Sequence, residues 1–509
     1  MPDGGGRVSA DLRMRSLVVA GSGLVGWSAA AMLQRRLPGV RVILTGDAPG
    51  PDAVAERIAS SLPSIGGFHG DIGLDEGQVV QGIGASFRLG TLFDGWAGDR
   101  PAYVHAYGEV GRSLGPTSFH MLWTRAALEG RAAPFESHSL AAALARAGRF
   151  VHPADDAESP LAGFEYGLSL DPRRYRELMR AYALHLGVAE QRGAVADVRL
   201  AGETGFVEAL VLADGREVAG DLFVDCTGPA ALVRARLDDR FEEWGHWLPC
   251  DRLLFGEAPG SPDPTPLDTV AAHAAGWRWR TQSRALTQHG LAYASAHLSD
   301  SRAERVFRAG AATEPSEAPV AIRAGQRRDP WLRNCVAVGD AAVMLEPLEW
   351  TNLHLAHSAL DRIASKLPDR DCSRVELWDY NRETMAEAAR ARDFAVLHYA
   401  ISDRPRDAMW RDAAAAPSPD TLAHSLALFR ERGRLPYYEE ETFTRHSWTT
   451  VLFGQGVMPR RADPLIDTVS DEVADRAMAQ IRERIAATVP GLPGQGEYLR
   501  HLAAQGAGR

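Results

Sequence analysis

The chain is poor in the residues that build covalent or metal-held scaffolds. Only four cysteines occur in 509 residues, Cys226, Cys250, Cys335 and Cys372, and no two form a Cys-x-x-Cys pair. That spacing excludes a zinc ribbon or a disulfide framework, predicts no metal site, and fits thiols in a reducing, cytoplasmic setting. An excess of positive charge is also missing. The formal net charge is −10, which argues against nucleic acid or an anionic membrane as the main partner. No apolar run is long enough for a membrane span. The nearest imitation of a signal segment, Leu17 to Leu33 behind Arg13 and Arg15, is interrupted by Gly21, Gly23 and Gly26 and lacks a cleavage site. Residues 1–12 read as a disordered leader. There is no repeat at a solenoid period and no serine or cysteine nucleophile arrangement.

What is present is ordinary globular material, 45% hydrophobic and 24% charged. The length calls for two domains, or one large domain with insertions. Ser16–Ala20, Trp27–Arg36 and Val40–Thr45 read as strand, helix and strand, a βαβ unit. Gly21-Ser-Gly-Leu-Val-Gly26 sits at its first turn. Gly21 permits the tight turn, Gly23 lets backbone approach a pyrophosphate, and Gly26 lets helix and strand pack closely. The helix N-terminus then offers free N–H groups to phosphate. A purely structural glycine turn is the plainer alternative. The acid that takes ribose hydroxyls belongs at the end of the second strand. Gly46 stands there and Asp47 follows one position late, to serve as that acid or to cap the next loop.

Further along, Asp171-Pro172 predicts a capped helix to Leu186. Glu208–Ala213 and Glu217–Asp225 predict a hairpin turning at Asp214-Gly215. Residues 229–325 suggest an inserted antiparallel sheet, and the chain beyond Leu355 reads as mainly helical. The tail from Val473 to Gly508 reads as a helix with a frayed end. The expected organisation is a dinucleotide-binding module over 13–365 carrying that insertion, then a helical substrate-binding part over 366–509. The most informative stretch is Asn334 to His354. A strand, Cys335 to Val338, stops at Gly339-Asp340, and a small-residue helix start follows at Ala341. Asp340 is then the second jaw of an FAD site, on the ribityl chain or its phosphate side, or the cap of that helix.

These residues carry a family signature. Gly339-Asp340 with Glu346-Pro-Leu-Glu349 resembles flavin-dependent tryptophan halogenases. So do Gly21–Trp27, Ser86-Phe-Arg-Leu-Gly90, Phe93-Asp-Gly-Trp96, His105, Tyr107, Trp247-Leu-Pro-Cys-Asp251, Gly276-Trp-Arg-Trp279, Arg392-Asp-Phe394 and Val451-Leu-Phe-Gly-Gln-Gly456, all in family order from about residue 15 to residue 465. The resemblance implies an α/β fold with α+β insertions, a Rossmann-like FAD module of the flavin monooxygenase type. It implies FAD reduced by a separate, diffusing flavin reductase, a halide ion, and a small aromatic substrate. Hypohalous acid made at the flavin travels through a tunnel to a lysine and a glutamate beside the arene. Carried over residue by residue, Arg88 and Glu349 are catalytic and Thr351 and Asn352 hold halide. His105, Tyr107, Trp350 and Trp448 line the substrate pocket. Gly21, Gly23, Gly26, Asp47, Gly339 and Asp340 hold FAD. A homodimer stays open.

Four departures stand out. Arg88 replaces the family lysine; an arginine stays protonated and presents a planar fork, so it orients an oxidant better than it captures one. The family Glu-Ser-Thr-Gly is Glu349-Trp-Thr-Asn352, with Asn352 expected to take the positive φ of the lost glycine. The Gly-Val-Gly-Glu segment over the flavin is Glu56-Arg-Ile-Ala59. Trp-x-Trp-x-Ile-Pro becomes Trp277-Arg-Trp-Arg-Thr-Gln282. Three readings follow: a halogenase with an arginine site, an FAD monooxygenase or oxidase on the same scaffold, and a catalytically degenerate paralogue.

Overall fold

The computed structural model describes residues 12–311 and 313–506. Of the expected leader only Leu12 lies among them; its carbonyl accepts from the Arg370 N–H at 2.8 Å.

A six-stranded sheet organises the first layer. Its order is Trp331–Leu332, Cys335–Ala337, Leu222–Asp225, Ser16–Ala20, Arg41–Thr45 and Ala189–Gln191. All pairs are parallel except the edge pair Trp331–Leu332 with Cys335–Ala337. Leu17, Val18 and Val19 are fully buried, as are Leu222, Phe223 and Val224. Continuous rather than alternating apolar residues are what a parallel sheet covered on both faces requires. The helix Leu24–Arg36 follows the first strand and is buried from Leu24 to Leu33. Its small residues Ala29, Ala30 and Ala31 let it pack closely between the sheet and the helix Pro172–His185. Asp171 caps that second helix as expected, its Oδ1 accepting from the Arg173 N–H at 2.9 Å.

A seven-stranded, mostly antiparallel sheet forms the second layer. It takes Arg252–Pro259, Asp268–His273, Gly276–Gln282, Leu286–Tyr293 and Val320–Ala321 from the expected insertion. It also takes Gly90–Asp94 and Tyr103–Ala106 from well before it, with Asp268–His273 running parallel to Gly90–Asp94. The insertion is thus completed by two N-terminal strands, and that union places the Arg88 region against Asp268.

Three expectations on local structure are corrected. The second strand of the hairpin divides: Glu217–Ala219 pairs with Val207–Leu212, whereas Leu222–Asp225 joins the central sheet. The break falls at Gly220-Asp221, where Asp221 Oδ2 accepts from the N–H groups of Arg15 and Ser16 and ties the chain to the first strand. No helix starts at Ala341; Gly339–Ala341 is one 3₁₀ turn leading to the short strand Val343–Met344. The tail forms two helices, Asp471–Thr488 and Gln495–Gly506. The second is ordered because Tyr498 packs on the Phe87–Phe150 stack, 6.2 and 5.5 Å from the two rings. Arg374–Ala400 is a single long helix, and among the described residues no helix is long and apolar enough to cross a membrane.

Candidate active site

Arg88 ends the short strand Ser86–Arg88 and is fully buried. An isolated buried charge would be very costly, so its partners decide whether it is tolerated. Its Nε donates to Asp268 Oδ2 at 2.5 Å, Nη2 to Thr91 Oγ1 at 2.5 Å, and Nη1 to the Ser61 carbonyl at 3.1 Å and to the Tyr107 hydroxyl. Four of a guanidinium's five N–H groups are therefore directed at protein, and one on Nη2 is left. Burial works against its charge, but Tyr107, Asp268 and Glu349 together hold it protonated.

Glu349 is equally buried. Its Oε1 accepts from His105 Nδ1 at 2.8 Å, and His398 Nε2 lies 3.0 Å from the same oxygen. Burial alone would raise this carboxyl; the two imidazoles reverse that and hold it at about 2. A carboxylate only accepts, so Nδ1 of His105 is the donor, while its buried Nε2 has no partner. Oε2 of Glu349 is also buried without a partner. His105 and Tyr107 lie 5.9 Å apart edge to face, which links the Arg88 and Glu349 halves into one cluster.

The turn that presents Glu349 differs from the expected one. The positive φ falls on Glu349 (63°) and Trp350 (62°), not on Asn352, which is already the second residue of the helix Thr351–Ser365. The reason is the helix start: with Trp350 as its N-cap, the reversal must be completed before Thr351. Asn352 instead donates Nδ2–H to the Leu345 carbonyl at 2.9 Å, while its Oδ1 and Thr351 Oγ1 are buried without partners. Trp350 is fully buried. Its Nε1 donates to Thr91 Oγ1 at 3.3 Å and its ring lies 5.6 Å from the Arg88 guanidinium carbon.

Two cavities flank this cluster. One of about 500 Å³ is lined by Tyr107, Ser64, His354, Tyr166 and Phe443. The other, about 350 Å³, is lined by Trp448, Phe443, Tyr437, Tyr438 and Glu441. Phe443 borders both; it stacks on Phe394 at 3.9 Å, and Phe394 lies 5.5 Å from His105. Tyr107 and Trp448 thus border cavities, whereas His105 and Trp350 sit in the wall behind.

At the far end, Gly21 (φ 106°) turns tightly; a Cβ there would meet the Cys226 carbonyl oxygen at 2.5 Å. A Cβ on Gly26 would collide with the Gly21 carbonyl. Asp47 is solvent-exposed beside this turn, its carbonyl accepting from the Ser22 N–H at 3.0 Å. Gly339 (φ 64°) packs on Val25, so the two glycine segments meet although about 300 residues separate them. Asp340 caps no helix: its Oδ2 accepts from the Ala55 N–H at 2.8 Å, and burial raises its carboxyl to about 8.

The sequence model of a family described as tryptophan halogenase matches residues 16–471. The chain belongs to the tryptophan halogenase family. Among solved structures, this halogenase is similar to BrvH, a flavin-dependent halogenase from Brevundimonas sp. BAL3, at 35% identity and a TM-score of 0.91, covering 97% of this chain and 100% of that one. Xcc4156, a flavin-dependent halogenase from Xanthomonas campestris, gives 32% identity and a TM-score of 0.90 over 96% of this chain and 98% of that one. The 7-chloro-L-tryptophan 6-halogenase KtzR of Kutzneria sp. (strain 744) is 27% identical, over 96% of this chain and 99% of its own. The chain is accordingly an FAD-dependent oxidoreductase of the halogenating class. Its FAD is reduced by a separate flavin reductase, and halide and an aromatic compound are its other substrates.

The halogenase cradle fits that cofactor in its backbone: Gly21 and Gly26 leave no room for a side chain at the turn that opens the helix Leu24–Arg36. Three residues of this halogenase site were not singled out from sequence. Asp268, the counter-ion of Arg88, is one acid among 66 Asp and Glu and carries no local motif. His398 stood among scattered histidines. Glu441 closes an acidic run, Glu439 to Glu441, that carries no local motif, yet burial raises its carboxyl to about 7 although Trp448 works the other way.

Proposed function

We propose that the Arg88–Glu349 cluster halogenates an electron-rich, indole-like ring presented from the cavity that Phe443 and Trp448 border. The observation that carries this reading is the pairing of a fixed guanidinium, with one N–H to spare, and a carboxylate, with one free oxygen, in a single buried cluster. Bound reduced FAD, with oxygen, supplies the oxidising equivalent that converts halide to hypohalous acid. Arg88 donates its remaining N–H to the oxygen of that acid and so polarises the O–halogen bond. Glu349 stabilises the positive charge that the ring acquires as the carbon–halogen bond forms, and water leaves with the ring's proton. Preorganised charges in a dry site make this the dominant catalytic effect. The unpartnered Thr351 hydroxyl, a free donor at the first turn of the helix Thr351–Ser365, supports a halide seat there; the unpartnered Asn352 Oδ1 is an acceptor and does not. Glu441 suits a substrate with an ammonium group. Four free, buried cysteines support a cytoplasmic setting.

One observation favours a second reading, oxygen transfer to substrate. Thr281 stands where the family carries isoleucine, and its hydroxyl is 2.9 Å from Ser60 Oγ, which donates to Asp268 at 2.6 Å. Two departures from the family thus sit in one network around Arg88. Assay with reduced FAD, oxygen, bromide and a panel of indoles decides the main reading. Brominated product is expected, falling by about 100-fold or more in Glu349→Gln. Undiminished bromination in that variant would remove Glu349 from the chemistry.

A further inference from the structure

The cofactor cradle carries a feature that the family signature does not account for. Glu56, on the 3₁₀ turn Val54–Glu56, reaches the N-terminus of the helix Leu24–Arg36. Its Oε1 accepts from the Val25 N–H at 3.0 Å and its Oε2 from the Leu24 N–H. The space that Gly23 leaves clear is filled by the same carboxylate; a Cβ on Gly23 would lie within it. These are the N–H groups a glycine-rich turn offers to a pyrophosphate.

We propose that Glu56 is a built-in competitor for the FAD pyrophosphate, and that this halogenase takes up flavin only when the Val54–Glu56 turn is displaced. A carboxylate and a phosphate are both anionic acceptors suited to a helix N-terminus. The two cannot share the same N–H groups, and their charges repel at that range.

The turn is held in place from two sides. Asp340 Oδ2 accepts from the Ala55 N–H at 2.8 Å, and Gln288 Nε2 donates to the Arg57 carbonyl at 2.8 Å. Asp340, the second jaw, therefore spends one oxygen on this turn, while its other oxygen is buried with no partner. That unpartnered carboxyl oxygen is a second sign that the site is built for something other than the turn now in it. Burial raises the Glu56 carboxyl above its ordinary value despite its two N–H donors and the nearby Arg176. The position is one where the family carries glycine, which has no side chain to reach the seat.

The inference rests on the FAD assignment, and the test separates the two. FAD affinity is measured by flavin-fluorescence quenching on the full-length wild type, Glu56→Gln and Glu56→Gly, with folding checked by circular dichroism. Apparent affinity falls with the fraction of molecules whose seat is open, so Glu56→Gly is expected to bind FAD at least about tenfold tighter than wild type. Glu56→Gln gains less, because an amide still reaches the seat without the charge. Inorganic pyrophosphate protects both variants against heat more than it protects wild type. Either folded variant binding FAD no better than wild type overturns the proposal and leaves the cofactor assignment standing. Absence of FAD binding in all three proteins overturns both.

Discussion

At the scale of single residues, Arg88 is the most tightly held member of the cluster. Its fork is committed to four acceptors, so it cannot swing to a new partner without leaving the buried Asp268 carboxylate with only Ser60 and no counter-charge from Arg88. Arg88→Lys keeps the charge but, as a point ammonium, cannot make all of those bonds. It is expected to lower stability by about 2 kcal/mol in urea unfolding while keeping bromination within about tenfold of wild type, an ammonium being an adequate donor. Glu441 gives a pH signature. Its carboxyl is raised to about 7 by burial, so it ionises as pH rises through 7. KM for an amine-bearing indole is expected to fall across that range, and Glu441→Gln to abolish the dependence while leaving an amine-free indole unaffected. As candidates, Arg88 and Glu349 were legible from sequence because each sits in a local motif. Asp268 and Glu441 were not, because nothing local reports which strand will lie against a buried guanidinium, or that a run of glutamates will fold over a tryptophan.

At the scale of elements, the turn from Pro347 to Thr351 matters most. Two successive non-glycine residues in the left-handed region cost on the order of 1–2 kcal/mol each. Here that strain aims Glu349 at the two histidines and buries Trp350 beside Arg88. Removing the indole is expected to cost about 3–5 kcal/mol. Trp350→Gly should recover about 1 kcal/mol of backbone strain that Trp350→Ser keeps. The measurable difference is a higher urea midpoint for the glycine variant than for the serine variant; equal midpoints would contradict the strained turn. The strands and helices of the βαβ unit were legible because apolar period and glycine spacing agree there. The 3₁₀ turn at Gly339 and the helix start at Thr351 were not, since short apolar runs such as Ala341–Leu345 suit helix and strand alike.

At the scale of the whole molecule, two buried acids shape the response to pH. Asp340 and Glu346 are each raised to about 8 by burial, Glu346 beside the Tyr399 hydroxyl and the Cys250 thiol. Their folded values lie above the unfolded ones, near 4. The folded state therefore holds extra protons between about pH 4 and pH 8, and these groups make the chain less stable as pH rises through that window. Glu346→Gln removes one such group. It is expected to raise the melting temperature at pH 8, relieving a penalty on the order of 3 kcal/mol, and to change it little at pH 5. The seven-stranded sheet, completed by strands far apart in sequence, is what brings Arg88, Asp268 and Glu349 together; that long-range union has no local signature. The central claim is that this union transfers halogen to an aromatic ring, and one measurement tests it most directly. Mass spectrometry of products made from indoles with reduced FAD, labelled oxygen and bromide is predicted to show bromine in the ring and the oxygen label only in water. Label in the organic product, formed equally well without bromide, would contradict the claim and establish oxygen transfer instead.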